Sequence, residues 1–291
     1  MHAGDREAVE AAIGVIRDRD TAAIPEPVGS AVRYALTGGG KRLRGMLVLA
    51  AYRAAGGTGD ASGIAASVEI IHAYSLVHDD LPCMDDDDMR RGRLSTHRAF
   101  DVPVATAAGA VMIPLAARAA HRAARELRLP GSACCTIVKV LMRGAGAGGM
   151  IGGQLLDLAG EGRTLSREDL DAVHAAKTGA LMAASVEVGG IAAGAEAERV
   201  GALAAYGERI GLAFQIMDDV LDVTGSTHQL GKTAGRDVAL GKSTYPALLG
   251  VEGAIAGATG LVAEGCEALR VHGLLTGELE NIAGFIVSRS H

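Results

Sequence analysis

The chain has 291 residues, 49% of them apolar and 21% charged, which is enough to bury a sizeable core and too hydrophobic for disorder. Its 28 basic and 34 acidic residues give a formal charge of −6, which excludes a generally basic nucleic-acid binder and leaves only local basic clusters to meet anions. With 3 Phe, 5 Tyr and no Trp, the core must rest on Ala, Leu, Val, Ile and Met, which favours close-packed helices over an aromatic-rich β-sandwich.

Residues 1–7 carry acids and no apolar segment follows them, so no signal peptide is expected. In chain order, the first informative segment is Gly38-Gly39-Gly40-Lys41-Arg42-Leu43-Arg44, three cations beside a triple glycine that lets the backbone approach a ligand closely. Ile64, Val68, Ile71, Ser75 and His78 step by four and three, one face of a helix. His72 lies two turns before Asp79 on such a helix. The helix runs into His78-Asp79-Asp80-Leu81-Pro82-Cys83-Met84-Asp85-Asp86-Asp87-Asp88. Pro82 disfavours helical backbone at Leu81, so the chain should leave the helix there and can fold Asp85 back beside Asp79. An EF-hand reading fails, because the bidentate Glu counted from Asp85 falls on Thr96. Arg90-Arg91-Gly92-Arg93 follows directly.

The longest charge-free stretch, residues 102–117, contains Pro103 and Pro114 and is short for a bilayer span, so no stable membrane insertion is expected. Segment 102–150 is rich in Ala and Gly, and its helix ends are the least defined. Ser166-Arg167-Glu168-Asp169 reads as an N-cap opening a helix through Lys177 towards Val188. A further helix spans residues 203–222 and ends in a second acidic cluster, where Asp218 and Asp222 stand one turn apart. Like charges at that spacing repel unless a cation sits between them. Gly231-Lys232 and Gly241-Lys242-Ser243-Thr244 come next, but neither is a P-loop, since the first glycine would fall on Ser226 or Arg236. Runs of alternating β-branched residues are almost absent, so the chain reads as all-α, with residues 1–291 as one domain. Cys83, Cys134, Cys135 and Cys266 form no CxxC pair, which points to reduced thiols and a cytoplasmic location.

Two carboxylate clusters at the ends of apolar helices, answered by four basic clusters, point to a pocket where hard divalent cations meet phosphate. Oxygen-only ligands favour Mg²⁺. Taken together these residues resemble the trans-prenyl diphosphate synthases. The match runs from residues 39–44 through His72 to His78, the first acidic motif with Arg90-Arg91-Gly92, Gly152-Gly153-Gln154-Leu155-Leu156-Asp157, Lys177-Thr178-Gly179-Ala180 and the 214–225 block. It closes with Gly231-Lys232 and residues 240–248, and Ile286-Val287-Ser288-Arg289 looks like the family's C-terminal end.

The resemblance implies a helical bundle of the isoprenoid synthase type around a deep apolar cavity, a homodimer, Mg²⁺ expected as three ions, and isopentenyl and allylic diphosphates as substrates. By position, Asp79, Asp80, Asp85, Asp218 and Asp222 match the metal ligands or their near neighbours. Lys41, Arg44, His72 and Arg91 match isopentenyl diphosphate contacts, and Arg90, Lys177, Thr178, Gln215, Lys232 and Lys242 match allylic ones. Among these, Thr178, Gln215 and a backbone carbonyl near Lys177 are expected to face the allylic cation. Tyr74 and Ser75, about a turn before Asp79, resemble the bacterial farnesyl diphosphate synthases, where a tyrosine floor would stop the chain at fifteen carbons. Geranylgeranyl diphosphate is the alternative product, because Pro82-Cys83 and Ala110 also fit that relative.

Two positions depart from the pattern. Gly45 replaces a proline, which is expected to change only a helix start. Gly109-Ala110 replaces Gly-Asp, which is expected to remove a carboxylate near the cavity wall. Of the other readings, a class I terpene cyclase needs an Asn/Ser/Glu triad in place of the second acidic cluster. A silent partner subunit would have lost acids from one motif, and both clusters are whole.

Overall fold

The computed structural model describes residues 3–224 and 243–288. The elements are α1 (Ala3–Asp20), α2 (Val28–Leu36), α3 (Leu43–Ala54), α4 (Ser62–Asp79), a hairpin of β1 (Met89–Arg90) and β2 (Arg93–Leu94), α5 (Thr96–Ala99), α6 (Val102–Glu126), α7 (Gly131–Ala145) and α8 (Met150–Gly160). There follow α9 (Arg167–His174), a π-helical turn (Ala175–Gly179), α10 (Ala180–Ala192), α11 (Ala197–Thr224), α12 (Tyr245–Val271) and α13 (Gly277–Ser288). The all-α reading holds, and the hairpin is its one small exception among the described residues.

The helices begin where local chemistry lets them. Asp101 caps α6 by accepting the Val104 N–H at 2.7 Å, and Pro103 occupies the first turn, where a missing N–H costs nothing. Ser166 caps α9 through the Asp169 N–H at 3.2 Å. Thr244 accepts the Ala247 N–H at 3.4 Å at the start of α12.

Two apolar clusters hold the bundle together. One gathers Ile64, Val68 and Ile71 of α4 with Met112 of α6 and Ile137 and Leu141 of α7. The other gathers Leu203, Tyr206 and Ile210 of α11 with Leu269 of α12 and Ile282 of α13. Helix α10 feeds both, Leu181 and Val188 into the first and Met182 and Val186 into the second, so most of its surface is apolar and buried, with Glu187 its one charged residue. It approaches α3 closely because position 189 is glycine: a Cβ there would lie 2.5 Å from the Val48 carbonyl oxygen. By length and composition alone, α6, α12 and the stretch from α7 into α8 could each cross a membrane. Helices α6 and α7 nevertheless spend their apolar faces on the first cluster. Helix α4 lies in the middle of this packing, against α1, α3 and α6, and delivers Asp79 at its C-terminus.

Candidate active site

Asp79 closes α4 and the chain then turns back, as Pro82 predicts. The Asp85 N–H donates to the Asp79 carbonyl at 2.9 Å, the Asp87 N–H donates to that of Asp80 at 3.2 Å, and Asp86 adopts a left-handed φ of 49°. Burial pushes the Asp79 carboxyl up to about 6; Lys177 and Arg90 oppose the rise, while Asp85 and Asp80 add repulsion. Burial also raises Asp80, against the pull of Arg90. Arg90 Nε donates to Asp80 at 2.9 Å and its Nη2 reaches Asp87 at 3.2 Å. Asp80 thus pairs with Arg90, whereas Asp79 turns its backbone carbonyl to the Asp85 N–H.

Two turns back along α4 from Asp79 lies a basic cavity of about 630 Å³, lined by Lys41, Arg44, His72, Arg91 and Phe214, with Arg6 and Phe285 from the terminal helices. Lys41 Nζ stands 5.4 Å from the centroid of the Phe285 ring. Arg91 and Gly92 form the hairpin's two-residue turn, with φ of 52° and 75°, the pattern of a type I′ turn. The Arg91 guanidinium donates to the carbonyls of Gly38 (3.3 Å) and Gly39. A Cβ on Gly40 would fall 2.7 Å from it, so a side chain there would push the guanidinium aside. Tyr34 anchors the hairpin from α2, donating to the Leu94 carbonyl at 2.8 Å.

Burial, reinforced by Arg44, Arg91, Arg42 and Arg90, holds His72 well below the usual histidine value, so its imidazole is neutral at pH 7. Burial also lowers Arg44, with Glu69 and Asp218 pulling it back, which ties the second acidic cluster to this cavity. Arg42 has a separate role: it binds Glu10 at 2.8 and 3.1 Å and the Gly38 carbonyl at 3.2 Å, and stands 3.6 Å from Glu69. Glu69, 2% exposed, also accepts the Gly45 N–H at 2.8 Å. Gly45 thus does more than set a helix start. Proline has no N–H to give Glu69, and a Cβ at 45 would lie 2.9 Å from Val9.

The third wall comes from the helix that Ser166 opens. It does not run unbroken to Val188, because residues 175–179 form a π turn, a feature that frequently marks functional sites. Lys177 Nζ donates to Asp157 of α8 at 2.6 Å, and Thr178 Oγ1 donates to Gln215 Oε1 at 3.0 Å. Gln215 Nε2 lies 3.5 Å from Asp219 Oδ1. The other oxygen of Asp219 accepts the Tyr245 N–H at 3.1 Å and faces His174 Nε2 at 3.3 Å. Asp219 therefore knits α9, α11 and α12 together, while Asp218 and Asp222, one turn apart, share another face of α11.

Tyr74 is 4% exposed, with its ring edge-on to His78 at 5.0 Å; burial and the nearby Asp79 push its hydroxyl up to about 12. Ser75 Oγ donates to the His72 carbonyl at 2.9 Å. One expectation is corrected: Ala110 is exposed on α6, so a carboxylate there would point outward from this chain. The residue that meets α4 is Gly109, where a Cβ would lie 2.2 Å from His78 Nε2. Lys232, Lys242 and Arg289 lie outside the described residues. Among the described residues no three His, Cys, Asp or Glu side chains form a ready-made cation cage. The sequence reading assigned no role to Arg6, Glu69, Asp157, Asp219 or Phe285. Asp157 and Asp219 stood inside matched segments; for Arg6 the only cue was its position one helical turn from Glu10.

The polyprenyl synthetase family profile matches residues 25–260. The farnesyl diphosphate synthase of Escherichia coli (strain K12) is 42% identical over 269 residues, covering 91% of this chain and 90% of its own. A chloroplastic geranylgeranyl pyrophosphate synthase of Catharanthus roseus is 41% identical over 237 residues, covering 80% of this chain and 66% of its own. Among solved structures, a Helicobacter pylori geranyltransferase complexed with magnesium and isoprenyl diphosphate superposes with a TM-score of 0.79 at 29% identity, covering 99% of this chain and 97% of its own.

Proposed function

The chain belongs to the polyprenyl synthetase family, and from that premise we propose that it condenses isopentenyl diphosphate with dimethylallyl and geranyl diphosphates to give farnesyl diphosphate. The observation that carries this reading is that two oppositely charged regions stand along α4, about two turns apart. A basic cavity surrounds His72, an acidic loop follows Asp79 at the helix end, and Arg90 and Arg91 on one hairpin reach one to each. A cyclase needs one diphosphate site; a condensing enzyme needs two.

The residues fit Mg²⁺. Asp79 and Asp85 in the loop, and Asp218 and Asp222 on α11, supply only oxygen, and Asp79 is a crowded carboxylate that a cation would relieve. With no closed cage among the described residues, such ions would sit between one or two carboxylates and phosphate oxygens, the usual way Mg²⁺ is held. Bound there, Mg²⁺ would neutralise charge on the allylic diphosphate and make it a better leaving group.

The protein's own groups do the rest. Lys41, Arg44 and Arg91 hold isopentenyl diphosphate beside the neutral His72, which can donate a hydrogen bond without adding charge. Arg90 and Lys177 flank the allylic diphosphate. As the allylic C–O bond breaks, Thr178 Oγ1 and Gln215 Oε1 turn the negative ends of their dipoles towards the developing cation. The double bond of isopentenyl diphosphate then adds to it, and a proton is lost; the released diphosphate is the base nearest to hand. Tyr74 closes the space for the growing chain. The reading includes a cytoplasmic homodimer.

The test is to incubate the protein with MgCl₂, isopentenyl diphosphate and allylic diphosphates of increasing length, then size the dephosphorylated products. A fifteen-carbon product that disappears with EDTA is expected. No elongation from any allylic primer would overturn the reading, and a twenty-carbon main product would replace it with the geranylgeranyl alternative that the Catharanthus relative favours.

A further inference from the structure

We propose that Arg6, in the first turn of α1, is an additional binding residue for isopentenyl diphosphate at the mouth of the basic cavity. The inference rests on the reading of that cavity as the isopentenyl diphosphate site. Arg6 lies outside every motif noted above, yet it lines the cavity together with Lys41, Arg44 and Arg91.

Its helix is fixed on both sides of it. Asp5 pairs with Arg53 of α3 at 3.1 Å, and Glu10 grips Arg42 at 2.8 and 3.1 Å. Glu10 stands one turn from Arg6 and is the carboxylate that would ordinarily offset it, but its oxygens are taken by Arg42. Arg6 is exposed, and no hydrogen bond or ion pair to it is found among the described residues. A cation in the first turn of a helix also sits at the wrong end of the helix dipole, so local stability does not account for it. An anion at the cavity mouth would be attracted by both the guanidinium and the helix N-terminus.

The charge arithmetic agrees. A diphosphate carries about three negative charges. Arg42 is already answered by Glu10 and stands beside Glu69, whereas Arg91 is bonded to carbonyls, which leave its charge in place. Arg6 adds a cation to a cavity that must neutralise a multiply charged group.

Steady-state kinetics on wild type, Arg6→Ala, Arg6→Lys, Lys41→Ala and Arg17→Ala test the inference. Arg17 lies on the same helix, paired with Asp18, and controls for a general loss of positive charge. Arg6→Ala should raise KM for isopentenyl diphosphate about five- to tenfold, the loss of one exposed charge-assisted contact, while KM for the allylic substrate and kcat move less than about twofold. Arg6→Lys should recover part of the loss, and Arg17→Ala should leave both KM values in place. The inference is overturned if Arg6→Ala leaves KM for isopentenyl diphosphate unchanged, shifts both KM values equally, or only matches Arg17→Ala. Lys41→Ala separates the two levels of the argument. If it raises KM for isopentenyl diphosphate and Arg6→Ala does not, only Arg6 is misassigned; if it acts on the allylic substrate alone, the cavity itself is.

Discussion

Gly153 and Lys177 offer the sharpest test of how the site is built. Gly153→Ala would place a Cβ 2.1 Å from the Lys177 nitrogen and 2.4 Å from its Cα. These are backbone atoms of the π turn and cannot swing aside like the end of a side chain. Ordinary contact begins at 3.4 Å, so α8 and the turn must part by the difference between 3.4 and 2.1 Å, about 1.3 Å. Overpacking of this kind costs roughly 2 kcal/mol, or about 4–6 °C in Tm for a chain of this size. The same displacement moves Lys177 and Thr178 relative to Asp157 and Gln215, and a misplacement of about 1 Å can cost on the order of 100-fold in rate. The assay is kcat with saturating substrates, alongside a thermal melt. Gly148→Ala is the matched control, since a Cβ there meets nothing within 4 Å. If Gly153→Ala melted within about 1 °C of wild type and kept kcat within about threefold, the π turn would not be a rigid support for the chemistry and the reasoning would fail.

Asp79→Ala and Asp218→Ala should each lower kcat by about three orders of magnitude or more while the far-ultraviolet spectrum stays helical; a folded Asp79→Ala protein with unchanged turnover would remove the cation site from the mechanism. Tyr74→Ala should cost about 3 kcal/mol of stability and shift the product beyond fifteen carbons, with Tyr74→Leu as the milder variant; product sizing decides, and an unchanged length would show that the ring is not the floor. His72 has a folded pKa well below 6.5, so the unfolded chain takes up a proton as pH falls through 6.5 and the folded chain does not. Its stability contribution is therefore intact above 6.5 and is lost below it, at up to about 1.4 kcal/mol per pH unit. Urea midpoints between pH 7.5 and 5.5 should fall more steeply for wild type than for His72→Gln, and parallel slopes would contradict the neutral, half-buried imidazole.

Much of this was legible in the sequence, because the cues were local. Pro82 ends α4 and returns Asp85 to Asp79, and Ser166 caps its helix, because both effects act within a few residues. Asp218 and Asp222 were legible from helical spacing alone. What stayed hidden depends on partners far along the chain. Nothing near Glu69 announces that it will accept the N–H of Gly45, and nothing near Asp219 announces His174 and Tyr245. The π turn was invisible because its one extra residue does not disturb the apolar periodicity on either side. Ala110 was misjudged because a residue one position from a packed glycine lies about a quarter-turn round the helix, and here that is enough to face away from α4.

Four described residues other than glycine hold a left-handed backbone: Arg42, Asp86, Arg91 and Arg128. Three of the four belong to the cavity wall or the acidic loop, and each such conformation costs an L-residue about 1 kcal/mol. At Arg91 the hairpin turn is of a type that prefers asparagine or glycine. Directed evolution of this chain for heat resistance alone would therefore find early gains by replacing Arg91 and Asp86 with glycine or asparagine. The step at Arg91 would strip a guanidinium from the basic cavity, whereas Asp86 is an exposed acid of the loop. A screen that rewards solubility or melting point without a turnover filter would therefore select against the left-handed arginine that lines the basic cavity.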